Sequence, residues 1–570
     1  MLCLGINEDF FDAGVALCDG PNVLFAANEE RYTRRKDEGG FPRLALHGLF
    51  EYTGIECSAV ERIYISGIMT PPLPIRMLPF LHAWRFKVQR RKSDTLARRL
   101  MDFAAYATPL SHTSEEANAR RWVRRLLPWA ARRALPRELR HKPIIHVDHH
   151  RAHAAGAWCL SGFETALAVT ADGMGDGVSL TVSRCTPEKG VDRLWAASSL
   201  DSFGLFFEAL CEGCGFMPCR DEGKITGLAA CGDPRRVTEP DPFQLTEGRL
   251  RYAGPHGRRG VAWARDTLLR RYSREDVCAW AQFLLESHLT EVARWWLRET
   301  GENRLVVAGG VFGNVKLNQR LHQLPEVERL FVYPNMGDGG LSLGAICLGE
   351  RLAPSAARNV FWGEDYPDTT LEQALRDSGL PFKRVSEPEA RTADLLNAGH
   401  IVARYTGRME WGPRALGNRS ILVRTTDRVV VDRLNTALRR SDFMPFAPAL
   451  LAEDAPLYCD SVEPARHSAE FMTVCFNCTD RMKAEHPAVV HVDGTARAQF
   501  VRAEANPTFH RVLTAYKRLS GSSVVLNTSF NIHEEPIVRT PAEAVAAFRS
   551  ARLDYLVLGP FLASSQHPLP

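Results

Sequence analysis

Apolar runs broken by short polar turns open the chain. Runs at 2–5, 13–18 and 23–28 flank a tight polar stretch at 7–12, the pattern of strand, turn, strand, strand. This is a meandering sheet edge and not the strand–glycine turn–helix of a dinucleotide site. The pattern returns farther on. An apolar strand at 166–172 ends in DGMGDG, and 178–183 reads as its hairpin partner. A third strand begins at 305, runs into the turn AGGVFGN at 308–314 and is followed by a helix. Between them, a short strand at 144–147 leads into HVDHHRAHAAGAW at 146–158, which has helical character.

Three glycine-marked turns separated by helices predict an α/β chain whose first part is a duplicated domain of the actin-like, sugar-kinase-like (ASKHA) kind. In such folds two hairpins and a GG turn surround a nucleotide's phosphate tail. Periodicity lapses over the proline-containing stretch 353–368, so the expected domains are 1–355 and 356–570. The second also reads as α/β, with strands at 401–405, 489–492 and 524–526 and helices at 370–377 and 542–549.

Composition changes this picture in one place. The 570 residues carry a formal charge of only +4, which argues against a general nucleic-acid binder. Between positions 76 and 140, however, 16 Lys and Arg stand against 5 Asp and Glu, a local balance of +11. Apolar residues recur at three- and four-residue steps between these arginines. The segment 71–140 reads as a helical insertion in the first domain, either a solvated cap or a surface for an anionic partner such as a membrane face, a carrier or a phosphorylated substrate. The 14 cysteines are mostly scattered, and Cys211-x-x-Cys214 has no second pair at zinc-ribbon distance, so reduced thiols are expected. Neither a signal peptide nor an apolar stretch of membrane-spanning length is evident, so a cytoplasmic protein is expected.

The candidate chemistry begins with histidines. His149 and His153 stand four apart and share a helix face, as do His146 and His150, so spacing alone leaves the assignment open. A histidine pair followed by strand-end aspartates, here Asp172 and Asp338, suits a divalent metal with open positions. Gly309 and Gly310 follow an apolar strand and let backbone N–H groups approach phosphate oxygens; Asn314 and Asn318 sit on the helix beyond. In the second domain, EWGPRALGNRS at 410–420 places Arg414 and Arg419 on a punctuated loop suited to phosphate or carboxylate recognition. DGTARAQFV adds Arg497, and LNTSFNIHEEPIV adds Asn527, Ser529, Asn531 and His533.

Taken in order, these segments resemble the nodulation-factor and antibiotic O-carbamoyltransferases. The resemblance rests on EERYTRRK at 29–36, HHRAHAA at 149–155, ADGMGDG at 171–177, GKITGLAACG at 223–232, AGGVFGN at 308–314 and GDGGLSLGA at 337–345, then on GPRALGNRS, PFAPALL, HVDGTARAQ and LNTSFNIHEEPIV. It spans nearly the whole chain outside 71–140. It implies a YrdC-like second domain that makes carbamoyl-adenylate and pyrophosphate from carbamoyl phosphate and ATP, with Mg2+ accompanying the nucleotide. It also implies a first domain, similar to threonylcarbamoyl-tRNA transferases, where a metal, Fe(II) by the resemblance, holds the intermediate while an acceptor hydroxyl attacks. The metal ligands it implies are His149, His153, Asp172 and Asp338. Lys224, Gly309, Gly310, Asn314, Asn527, Ser529 and Asn531 are the implied cofactor contacts, and Arg414, Arg419 and Arg497 the implied charge-neutralising groups.

Two strings depart from the family pattern. The family's His-Asp-Ala-Ser after the first strand is here Phe11-Asp12-Ala13-Gly14, so Asp12, or Asp9 before it, becomes the candidate for the acceptor's proton. The family's lysine- and arginine-bearing segment appears as RRSDFMPFAP, with Arg439 or Arg440 in the lysine's place and Met444 in an arginine's. The acceptor is expected to be a small-molecule, lipid- or carrier-linked hydroxyl. The alternatives are a tRNA-threonylcarbamoylating enzyme and a catalytically lost scaffold of the same fold.

Overall fold

A computed structural model describes residues 1–78, 82, 84, 118–426, 428–438, 446–532 and 534–569. The chain forms two compact units: residues 1–30 with 37–357, and residues 31–36 with 358–570. The six residues 31–36 of EERYTRRK belong to the second unit. Arg31 donates to the Gly412 carbonyl, Tyr32 to Glu364, and Arg34 to the carbonyls of Pro536 and Ile537. Among the described residues no helix is long and apolar enough to cross a membrane. All 14 cysteines are free.

The first unit contains the duplication directly. Its first sheet comprises β1 (Leu2–Asn7), β2 (Gly14–Asp19), β3 (Asn22–Asn28), β4 (Arg62–Ser66) and β5 (Ile144–Val147), in the order β3-β2-β1-β4-β5. The second comprises β6 (Ala166–Gly175), β7 (Val178–Thr186) and β8 (Gly190–Ser198) and, after the small hairpin of β9 (Phe243–Thr246) and β10 (Arg249–Tyr252), β11 (Arg304–Ala308) and β12 (Arg329–Val332). Its order is β8-β7-β6-β11-β12. In each sheet the first three strands meander antiparallel and the last two join parallel. One topology used twice is the actin-like duplication that the recurring hairpins predict.

Helix His149–Ser161 is buried along almost its whole length, which accounts for its run of alanines: small side chains let neighbours close in on every side. Helix Leu341–Gly349 packs on it so tightly that a Cβ at Gly344 would stand 2.2 Å from the Ala152 carbonyl. The string GDGGLSLGA is therefore a packing requirement as much as a chemical one.

The second unit is built on a mixed eight-stranded sheet. In spatial order its strands are Phe382–Arg384, Phe561–Ala563, Tyr555–Leu558, Val402–Tyr405, Arg419–Arg424, Val525–Ser529, Ala447–Leu451 and Gln499–Val501. Helices Pro388–Asn397 and Pro507–Ser520 cover a core that includes Leu396, Leu422, Val512, Val525 and Val557. The strand expected at 489–492 does not form. Pro487 starts a short helical turn through Val489, and the chain then reverses as His491 N–H donates to the Thr495 carbonyl while Asp493 accepts from the Thr495 N–H. The apolar pair Val489-Val490 belongs to that turn and not to a ladder.

Candidate active site

Four side chains meet at the C-terminal end of β6. His149 and His153, one turn apart on their helix, bring their Nε2 atoms to Asp172 Oδ2 at 3.6 and 3.2 Å. Both stand 3.5 Å from Asp338 Oδ1. All four candidate ligand atoms lie within 4.8 Å of one another. None of the four has a hydrogen-bond partner, although each is buried. Buried polar atoms are almost always paired, so four orphans converging on one point mark a place shaped for something else. Ligands held about 2.1 Å from a cation at bond angles near 90–110° stand roughly 3.0–3.5 Å apart, close to the spacing here. The residues therefore fit a divalent metal. Two imidazoles and two carboxylates suit iron, zinc or manganese, with positions left for substrate oxygen.

The electrostatics agree. Burial opposes charge on His149, but the nearby carboxylates of Asp172, Asp9 and Asp338 outweigh it and hold the imidazole well above its ordinary pKa. Burial likewise opposes ionised Asp172, and the two imidazoles outweigh it. Burial, then the nearby Asp172 charge, pushes Asp338 up to about 7.

The neighbours explain the arrangement. Asp9 Oδ2 stands 3.3 Å from His149 Nδ1, behind the ring and away from the cluster. His150, by contrast, is fully engaged: Nδ1 bonds Thr170 Oγ1 at 2.8 Å and Nε2 the Val178 carbonyl at 3.0 Å. This resolves the ambiguity of the spacing in favour of His149 with His153. The second aspartate of DGMGDG, Asp176, accepts from the backbone N–H groups of Ile68, Met69, Thr70 and His149, tying the loop after β4 to the start of the histidine helix.

At the GG turn, Gly309 has φ +102°, and a Cβ there would come within 2.1 Å of the Ala171 carbonyl; one at Gly310 would touch Asp172 Oδ1 at 3.0 Å. Asn314 caps helix Val315–His322, accepting from Leu317 N–H, and its amide also bonds Thr226 and Gln282. In this structure Leu317, Thr226 and Gln282 engage that side chain. Lys224 lies 2.9 Å from Asp221 and over the Phe216 ring. Asp12 sits at φ +51°, its carbonyl accepting from Asn7 and Asn28, and its carboxylate groups with those of Glu30 and Asp37.

In the second unit the loop 410–418 is folded around a carboxylate. Glu410 Oε1 accepts from the N–H groups of Leu416, Asn418 and Arg419. Arg419 does not line a cleft. It begins a central strand, is fully buried, stacks 3.7 Å over the Tyr405 ring, and donates to the carbonyls of Thr406, Asn418, Glu364 and Gly407. These carbonyls engage both terminal nitrogens of its fork, and its Nε has no partner among the described residues. Asn527 is likewise buried, bonding Ala415 and Gln499, and Asn531 bonds the carbonyls of Ile532 and Glu535 in its own loop. Ser529 is half-buried at the end of its strand.

Arg414 and Arg497 remain half-buried. Burial lowers the Arg497 pKa, and its Nε, like that of Arg419, has no partner among the described residues. Gln499, two residues on, lines a small pocket with Leu416, Glu470 and Arg502.

The model for the carbamoyltransferase N-terminus matches residues 2–347, and that for the carbamoyltransferase C-terminus matches 393–565. The chain belongs to the carbamoyltransferase family. Among relatives of this carbamoyltransferase, nodulation protein NolNO of Sinorhizobium fredii is 32% identical over 100% of this chain and 83% of its own length. The 3'-hydroxymethylcephem-O-carbamoyltransferase of Streptomyces clavuligerus is 32% identical over 60% of this chain and 64% of its own. Full-length HypF in its phosphate- and nucleotide-bound form covers 62% of this chain and 56% of its own at 15% identity and TM-score 0.37, a likeness too distant to carry an argument.

Three features of this carbamoyltransferase were not legible in its motifs. Asp9 behind His149 and Asp176 under the loop after β4 act across long stretches of chain. Glu410, inside a quoted string, shows no pattern that marks it as the loop's anchor. Arg439, Arg440, Met444 and His533 lie outside the described residues, as does most of the span 79–117.

Proposed function

We propose that this carbamoyltransferase makes carbamoyl-adenylate from carbamoyl phosphate and ATP in its second unit and transfers the carbamoyl group to an acceptor hydroxyl in its first. The observation carrying this reading is the convergence of four buried, unpartnered ligand atoms from His149, His153, Asp172 and Asp338 at the end of a duplicated sheet. In a carbamoyltransferase, such a cluster calls for an oxygen-bearing substrate.

The steps balance as follows. Water releases phosphate from carbamoyl phosphate, leaving carbamate. A carbamate oxygen attacks the α-phosphorus of ATP, and pyrophosphate departs with its Mg2+. Arg497, with Arg414, neutralises the charge gathering on the phosphoryl oxygens; a cation already desolvated interacts strongly with that charge. In the first unit, the acceptor oxygen attacks the carbamoyl carbon and AMP leaves.

A divalent metal held by His149, His153, Asp172 and Asp338 supplies Lewis acidity toward the carbamoyl oxygen. Gly309 and Gly310 bring backbone against the Asp172 turn and leave room for phosphate. With no imidazole at position 11 and Asp9 facing His149, Asp12 is the group assigned to the acceptor's proton. The 3'-hydroxymethylcephem-O-carbamoyltransferases among the relatives favour a small natural-product hydroxyl as the acceptor.

The test is pyrophosphate release with ATP, with and without carbamoyl phosphate. Release that requires carbamoyl phosphate and disappears in Arg497→Ala supports the reading. Folded, metal-supplied protein that releases none overturns it.

A further inference from the structure

The helix Asn118–Ala134 has two faces. Leu127, Ala130 and Ala131 are buried, as is Leu135 just beyond, where the helix packs against β5. On the other side Leu126 and Trp129 are 46% and 49% exposed, three residues apart and so on one stripe. Arg125, Arg132 and Arg133 are exposed around them, and the Arg133 guanidinium lies over the Trp129 ring at 5.3 Å. Residues 118–137 contain seven arginines and no acidic residue.

An exposed tryptophan and leucine on a face where the exposed charged residues among those described are arginines are poorly placed for bulk water. Indole and guanidinium both suit the zone between headgroups and acyl chains: the ring enters the apolar edge while arginines meet phosphates. Charge alone would equally serve any polyanion. The apolar pair is what selects a bilayer, because it contributes only where there is an apolar layer to enter.

We propose that this face docks the enzyme on an anionic lipid surface, with Trp129 and Leu126 entering the interface and Arg125, Arg132 and Arg133 meeting the headgroups. The proposal is independent of the adenylation chemistry. It implies an acceptor held at, or delivered from, a membrane.

The test is flotation of the full-length protein with vesicles of phosphatidylcholine alone or with phosphatidylglycerol, at low and high salt. The expected result is binding that needs phosphatidylglycerol, weakens at high salt, and falls about ten-fold or more in the double variant R132E/R133E. Trp129→Ser should also lower binding while leaving the salt dependence. Thermal melting and pyrophosphate release, unchanged in both variants, exclude misfolding. Equal binding to neutral vesicles, no binding to either, or a Trp129→Ser variant that binds as tightly as the parent overturns the proposal. So does preferential capture by RNA added at the same ionic strength.

Discussion

Asp9 Oδ2 lies 3.3 Å from His149 Nδ1, while the Nε2 of the same ring faces Asp172 and Asp338. A carboxylate behind a ligating imidazole fixes which nitrogen points forward and raises its basicity. Asp9→Ala should lower metal affinity by about 10–100-fold with the fold intact. Metal content by elemental analysis after dialysis against a buffered metal series measures this directly. An unchanged binding curve would mean that Asp9 serves the acceptor and not the histidine.

The adjacent histidines should separate cleanly. His153→Ala removes an orphaned donor and should abolish tight metal binding while costing little stability. His150→Ala removes the imidazole that bonds Thr170 and the Val178 carbonyl, leaving Thr170 only its bond to Thr181, so it should destabilise the protein by about 1–3 kcal/mol and retain the metal. Paired melting curves and metal analyses distinguish the two. Loss of metal in the His150 variant, at a temperature where it remains folded, would reassign the ligand.

How far the sequence disclosed this site depends on the range of the interaction. The histidine pair and the glycine turns are local, so spacing alone nominates them, and the repeated hairpins give the duplicated topology. Where a side chain is spent depends on distant chain. Arg419 reads as a loop guanidinium because glycine and proline precede it, yet it starts a strand and closes on carbonyls from residues 364 to 418. Asn314 reads as a phosphate contact because it follows GG, yet Gln282 and Thr226 claim its amide. Short-range pattern marks candidate chemistry, and tertiary hydrogen bonding decides which candidates stay available.

The two arginines of the second unit should therefore fail differently. Arg419→Ala strands several buried carbonyls and should cost more than about 3 kcal/mol, with lysine no rescue because it lacks the planar fork. Arg497→Ala removes a desolvated cation and should leave stability equal or improved while pyrophosphate release falls by about 100-fold. Denaturant midpoints and the release assay together check both. A stable Arg419→Ala with lost release would return that residue to the substrate.

Gly309 offers a backbone test. At φ +102°, with the Ala171 carbonyl 2.1 Å from any Cβ, alanine must displace the turn beside Asp172. Gly309→Ala should destabilise by about 2 kcal/mol or more and weaken metal binding as well, since it moves the strand end that carries a ligand. Gly301, also at positive φ but with open space around a Cβ, is the control for conformational strain alone. Equal losses in the two variants would deny the close approach any special role.

Glu470, in the pocket wall with Gln499, supplies a pH signature. Burial raises its pKa to about 7, with the Arg502 guanidinium opposing the rise. The folded protein therefore holds a proton that the unfolded chain, with a carboxyl near its usual 4.5, gives up sooner. This group's contribution favours the fold fully below about pH 4.5 and is lost as pH rises through about 7. Glu470→Gln keeps the neutral shape at every pH. The variant should match the parent at low pH and exceed it by about 1–3 kcal/mol at pH 8. Denaturant unfolding across pH 4–8 gives the difference curve. A difference that is flat, or that grows toward acid, would show that the Arg502 ion pair outweighs desolvation and that the carboxylate stands ionised in the pocket.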